Sequence, residues 1–212
     1  MITLSPELFR RLDEAPDAEF YAEPRFVTHI DDAAIAAVTQ LYREYLPPGG
    51  AILDLMSSWI SHLPPEIAYR EVVGIGMNQD ELAANPRLRT GLVWDLNQTT
   101  RLPFDDERFD GAAICVSVDY LTRPVEVFRE CGRVMRQGAP LVITFSNRCF
   151  PTKVIAAWRI LDDRGHQELV ARYFNEAGNW NDVEMLDRSP GLDGDPIYAV
   201  IGRSAGNPGG LR

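Results

Sequence analysis

Residues 94–148 read WDLNQTTRLPFDDERFDGAAICVSVDYLTRPVEVFRECGRVMRQGAPLVITFSNR. The run RFDGAAICVSV (108–118) is apolar and short, as a buried strand is. In RPVEVFRECGRVMRQG (123–138) Val127, Phe128 and Val134 recur at helical spacing, and Gly138 closes the pattern. APLVITFSN (139–147) is again of strand type. Two apolar strands joined by an amphipathic helix make a parallel crossover, with the sheet buried on both faces.

The same alternation extends outward. Upstream, DDAAIAAVTQLYREYLPPGG (31–50) predicts a helix that Asp31 or Asp32 caps, with Ile35, Val38, Leu41, Tyr42 and Tyr45 on one stripe and Pro47, Pro48, Gly49 and Gly50 as its stop. AILDLM (51–56), REVVGIGM (70–77) and RTGLVWDL (89–96) read as the first three strands, with NQDELAANP (78–86) a short helix capped by Asn78. Downstream come two helices in PTKVIAAWRILDD (151–163) and GHQELVARYFNEAG (165–178), then two strands in DVEMLDRS (182–189) and DPIYAVIGR (195–203). The expected fold is one doubly wound α/β domain with a mostly parallel seven-stranded sheet and helices on both faces. It spans residues 47–203, behind an N-terminal helical segment or lid (1–46) and before a flexible tail (204–212).

The 45% apolar content of 212 residues suits one sizeable core. With 21 basic against 31 acidic residues the net charge is −10, which excludes a nucleic-acid partner, since that needs a basic face. No apolar run is long enough to span a bilayer, and MITLSPELFRRLDEAPDAEF lacks the marks of a signal peptide, so no membrane partner is expected. Cys115, Cys131 and Cys149 are odd in number and show no ligand spacing. A reduced, cytoplasmic setting without a metal site is therefore expected, with Cys115 a small core residue.

An open parallel sheet binds its ligand beyond the carboxyl ends of the strands, where strand order reverses. The candidate segments are Asp54–Trp59, Gly76–Asn78, Asp95–Asn97, Ser117–Tyr120 and Ser146–Arg148.

Residues 94–148 also resemble the second half of class I S-adenosylmethionine-dependent methyltransferases of the small-molecule kind. In that family an acidic residue ends the third strand, LPF follows, D..FD leads into the fourth strand, and a helix carries E..RVL..GG before the fifth. The counterparts are Asp95, Leu102–Phe104, DDERFD ending at Asp110, and ECGRVMRQGAPLVITF. The resemblance implies a Rossmann-like sheet whose last strand is antiparallel, S-adenosylmethionine as cofactor and a small-molecule acceptor, with a homodimer left open. It places Asp95 and Leu96 beside the adenine and makes Asp110 a support of the loop. Asp95 as an ordinary turn carboxylate is the alternative.

Two positions depart from the family. Its first loop usually reads LDLGCGTG, whereas here Met56, Ser58 and Ile60 fall where glycines belong. Glycine tolerates positive φ and lets backbone meet ligand, so Met56 and especially β-branched Ile60 are expected to be penalised. The family's carboxylate after the second strand, which holds the ribose, is replaced by Gly76, leaving Asn78 to give one neutral hydrogen bond. Asp54, Ser57, Ser58, Trp59, Asn78, Asp95, Leu96 and Ser117 are the expected cofactor residues, with Trp59 facing the sulfonium as a cation–π partner or else packing in the core. On the acceptor side stand His62 as the base candidate, Asp119, Tyr120, and Arg148 for an anionic acceptor. Tyr42, Tyr45, Trp158, Tyr173 and Phe174 are expected in the core. The N-terminal helix and residues 156–174 are the expected sources of a lid. The reading left open beside the enzyme is a methyltransferase-like domain that no longer binds S-adenosylmethionine and serves as a binding module.

Overall fold

The computed structural model describes residues 4–191 and 194–206. Seven strands, β1 (Ala51–Leu55), β2 (Glu71–Gly76), β3 (Thr90–Val93), β4 (Gly111–Cys115), β5 (Pro140–Phe145), β6 (Trp180–Asp187) and β7 (Tyr198–Ser204), form one sheet of order 3-2-1-4-5-7-6. Strands β1 to β5 pair in parallel, and β7 pairs antiparallel to both β5 and β6. Strand order reverses between β1 and β4, which places the switch point in the middle of the sheet.

The helices are α1 (Asp17–Phe20), α2 (Asp32–Tyr45), α3 (Gln79–Ala84), α4 (Pro124–Val134), α5 (Ala156–Ile160) and α6 (Asp163–Ala177). Period-two alternation sorts the strand residues to two faces. Leu53, Ile114 and Ile143 join the core beneath α4 and α6, while Ile52, Ala113 and Val142 join the core beneath α2. Asp31 caps α2 by accepting from the Ala34 N–H, and Val38, Leu41 and Tyr42 are buried, with Ile35 and Tyr45 at the margin. Val127, Phe128 and Val134 are the buried stripe of α4, and Gly178 ends α6 in the left-handed conformation at φ +79°. Tyr42, Trp158, Tyr173 and Phe174 are buried.

Three boundaries differ from expectation for local reasons. Strand β4 stops at Cys115 because Val116 turns to φ +42°. Helix α4 stops at Val134, where Met135 bridges to Phe109; Gly138, at φ +78°, serves the turn into β5. Helix α5 is a single turn. Asp110 supports its loop as expected, accepting from the Ala51 N–H and pairing with Arg70 and Arg136. Of the expected tail, residues 207–212 lie outside the described residues, and Ala205 is bonded to the Asn179 carbonyl. Among the described residues no helix is long and apolar enough to cross a membrane, and no cluster of His, Cys, Asp or Glu is arranged to hold a metal.

Candidate active site at the sheet switch point

A cavity of about 320 Å³ lies at the carboxyl ends of β1 to β5, lined from all five strand-end segments. Its cover is a strap, residues 21–30, that runs between α1 and α2. Helix α2 packs on the sheet and contributes nothing to the lining, and residues 156–174, whose apolar side chains pack mostly into the core, contribute nothing to it either. The cover therefore comes from the residues before α2.

The loop after β1 keeps the backbone course that glycine would permit. Met56 adopts φ +55°, a left-handed conformation that costs an ordinary side chain about 1–2 kcal/mol. Ile60 takes no such angle, contrary to expectation; the second left-handed residue of the loop is His62, at φ +52°. Two short hydrogen bonds hold the loop, because Ser57 Oγ and Ser61 Oγ both donate to Asp54 Oδ2 at 2.6 Å. Burial pushes the Asp54 carboxyl up to about 6, against the pull of these two hydroxyls.

Gly76 ties the two departures together. A Cβ there would collide with the Ser57 carbonyl oxygen, and the Ser57 N–H in turn donates to the Ile75 carbonyl at 2.7 Å. The loop crosses the end of β2 so closely that no side chain fits where a ribose carboxylate would stand.

Other predicted residues are committed to the strap and its supports. Asn78 caps α3 by accepting from the Asp80 and Glu81 N–H groups, and its amide donates to the Tyr21 and Ala22 carbonyls. Its donors and acceptor are all engaged, so the single ribose hydrogen bond expected of it is already spent inside the protein. Ser58 Oγ donates to Glu81 Oε2 at 2.6 Å, while Glu81 Oε1 accepts the Arg25 N–H. Trp59 is not part of the cavity wall. Its indole donates to the Val27 carbonyl at 3.0 Å and meets Phe26 edge-on, which replaces the sulfonium contact with a strap contact.

Asp95, Leu96 and Ser117 all line the cavity. Asp95 Oδ1 accepts from the Asn97 and Gln98 N–H groups, the turn role that was the alternative, and Oδ2 takes no part in those bonds. On the acceptor side His62 lines the cavity with a buried Nδ1 that has no partner among the described residues, and burial lowers its pKa. Tyr120 also lines it, its hydroxyl accepting from the Phe150 N–H at 2.8 Å. Asp119 lies behind the wall, with Oδ2 unpaired among the described residues and its carboxyl pushed up to about 8 by burial. Arg148 lines the rim but pairs with Asp195 at 2.8 Å.

Sequence reasoning missed Tyr21, Arg25, Ser61, Glu81 and Phe150, all but Glu81 outside any strand end or helix. The segment YAEPRFVTHI (21–30) has no period to read; its density of aromatic and charged residues is the one signal it offers.

Residues 57–143, from the loop after β1 into β5, match the family model described as a methyltransferase domain. A stretch of 73 residues, 34% of this chain, is 29% identical to the biotin biosynthesis bifunctional protein BioHC of Teredinibacter turnerae, and it spans 13% of that protein. Among solved structures, geranyl diphosphate C-methyltransferase of Streptomyces coelicolor A3(2), solved with Mg2+, geranyl diphosphate and S-adenosyl-L-homocysteine, superposes at TM-score 0.61 and 11% identity, over 88% of this chain and 96% of that one. An S-adenosylmethionine-dependent methyltransferase of Mesorhizobium loti gives TM-score 0.55 and 16% identity, over 79% and 98%. The [4+2]-cyclase SpnF gives 0.59 and 17%, over 80% and 81%. At such identities the likeness is one of fold.

Proposed function

We propose, for a chain that belongs to the class I S-adenosylmethionine-dependent methyltransferase family, that it transfers a methyl group to a small-molecule acceptor by in-line displacement. The observation that carries this reading is a covered cavity at the switch point, lined by all five strand ends, with the loop after β1 and the ends of β2, β3 and β4 inside the span that matches the methyltransferase domain. The residues present suit S-adenosylmethionine. The loop retains a left-handed turn at Met56, Asp54 and Asp95 each keep an oxygen outside the loop hydrogen bonds, and carboxylates in the wall favour a cation. When bound, the cofactor supplies an electrophilic methyl group on a sulfonium.

The protein's own task is then to orient the acceptor and exclude water. Asp54, Ser57 and Ser58 shape the wall on the first-loop side, while Asp95, Leu96 and Ser117 shape it at β3 and β4. His62 serves an acceptor that must lose a proton: burial lowers the pKa of its imidazole, and its buried Nδ1 has no partner among the described residues. Tyr120 positions the acceptor, and Asp119 acts behind it rather than on it.

One observation favours a second reading. The Ser57 carbonyl excludes any carboxylate from the end of β2, and Asn78 is saturated, so the ribose loses two familiar partners. Under that reading the chain is a binding module of the same fold, and SpnF, named a cyclase, illustrates how far chemistry varies on it. Calorimetric titration with S-adenosylmethionine and S-adenosylhomocysteine separates the two. Micromolar binding of both is expected, and silence at millimolar concentration would remove the enzyme reading. An Asp95→Ala variant that binds as tightly as wild type would remove Asp95 from the cofactor site.

A further inference from the structure

We propose that the acceptor carries a carboxylate and that Arg25 recognises it; this rests on the methyltransferase reading above. Arg25 projects from the strap into the cavity wall. Its Nη2 donates to the Phe20 carbonyl at 2.7 Å, and its guanidinium lies over the Phe20 ring at 4.6 Å and 5.5 Å from the Tyr21 and Phe150 rings. Its Nη1 is buried and has no hydrogen-bond partner among the described residues. Nor does any described carboxylate stand within ion-pair distance of the guanidinium. Glu81, which touches the Arg25 main chain, spends one oxygen on the Arg25 N–H and the other on Ser58.

A buried cationic donor without an acceptor is unfavourable, and a ligand anion is what relieves it. The cavity wall holds one other arginine, Arg148, the residue its sequence position favours, and that side chain is paired with Asp195. The two wall histidines do not compete, since burial lowers the pKa of both His29 and His62. Among the described residues one free cation faces a wall that also contains Asp17, itself paired with Arg11 and Lys153, and Asp54, Glu81 and Asp95, in a chain of net charge −10. A single negative charge is balanced there, whereas a dianionic phosphate is not. The planar guanidinium matches a carboxylate in shape. Tyr21, Tyr120 and Phe150 line the same cavity as a cluster of packed rings, with His29 in a T-shaped contact with Phe150 at 5.3 Å. The body of the acceptor is therefore flat and apolar: an aromatic or otherwise unsaturated monocarboxylate.

The test titrates the S-adenosylhomocysteine-loaded protein with matched pairs, 4-hydroxybenzoate against 4-hydroxybenzamide and indole-3-acetate against indole-3-acetamide. In at least one pair the carboxylate should bind about tenfold tighter than the amide or more, the range a charged hydrogen bond supports. Arg25→Met should erase that preference and Arg25→Lys should retain part of it. The proposal is overturned if neither carboxylate is preferred, or if the preference survives Arg25→Met. It is also overturned if Arg25→Met weakens S-adenosylhomocysteine but not 5′-methylthioadenosine, which lacks the amino-acid portion, because Arg25 would then serve the cofactor's carboxylate. Failure of wild type to bind S-adenosylhomocysteine at all would instead defeat the methyltransferase reading. The same pairs titrated into the unloaded protein would then judge Arg25 separately.

Discussion

Gly76 shows how one position without a side chain can be set by a neighbouring segment. The Ser57 carbonyl occupies the space of its missing Cβ, so a methyl group there must displace either the first loop or the end of β2. Gly76→Ala should cost about 2 kcal/mol in urea unfolding, as overpacking does, and should weaken S-adenosylhomocysteine in calorimetry because the displaced loop forms the wall. An alanine variant with unchanged stability would mean that the loop moves freely. The substitution of Gly76 was legible in the sequence as a missing carboxylate; its cause was not, since the Ser57 contact joins two segments that no local pattern relates.

Asp119 is the second informative residue. Its carboxyl, pushed from 3.8 up to about 8 by burial, binds its proton more tightly in the folded than in the unfolded chain. Its ionisation therefore opposes folding: this contribution to stability is lost as pH rises from about 4 to about 8 and is level beyond. Asp119→Asn removes the titration. Wild type should lose up to about 1 kcal/mol per pH unit relative to the variant between pH 5 and pH 8 in urea unfolding. Parallel pH profiles for the two proteins would contradict the assignment.

At the scale of elements, the strap depends on a buried ionic cluster beside it. Lys153 is fully buried, donates to the Ala15 carbonyl at 2.7 Å, and lies 3.2 Å from Asp13 and 3.3 Å from Asp17. Asp17 also accepts from Arg11 and from Asn97, whose amide reaches the Tyr120 carbonyl as well. The chain before the strap is thus anchored to the loops after β3 and β4. Removing one partner of a buried pair typically costs about 3–5 kcal/mol. Lys153→Met should fall in that range by urea unfolding, and should raise amide exchange in residues 11–30 above that in β1 and β4. Uniform exchange across the chain would show that the cluster supports the whole fold instead. None of this was foreseeable from the residues. Helices α2, α4 and α6 carry periodic stripes and capping residues that a sequence displays, whereas Lys153, Asp17 and Arg25 meet only through the tertiary course of aperiodic segments.

For the whole molecule, alternation of apolar strands and amphipathic helices was enough to define the sheet and its ligand-binding edge, because burial on two faces leaves its mark on every strand. All five strand-end segments read from sequence do meet in one cavity. The covering strap lies inside the N-terminal segment 1–46 that the sequence offered as a lid, whereas α2 itself and residues 156–174 bury their apolar stripes against the sheet. A ligand held between sheet and strap couples to global stability, because it binds the folded chain alone. At a hundred times its dissociation constant, such a ligand stabilises by about 2.7 kcal/mol. In a chain of 212 residues each kcal/mol moves the midpoint by about 2–4 °C, so saturating S-adenosylhomocysteine should raise Tm by about 5–10 °C. The strap should gain exchange protection in the same complex, because residues 21–30 form one wall of the cavity. NADH at equal concentration should leave both unchanged. A shift with S-adenosylhomocysteine but no added protection in the strap would place the ligand elsewhere on the sheet edge, and the absence of any shift would argue for the binding-module reading.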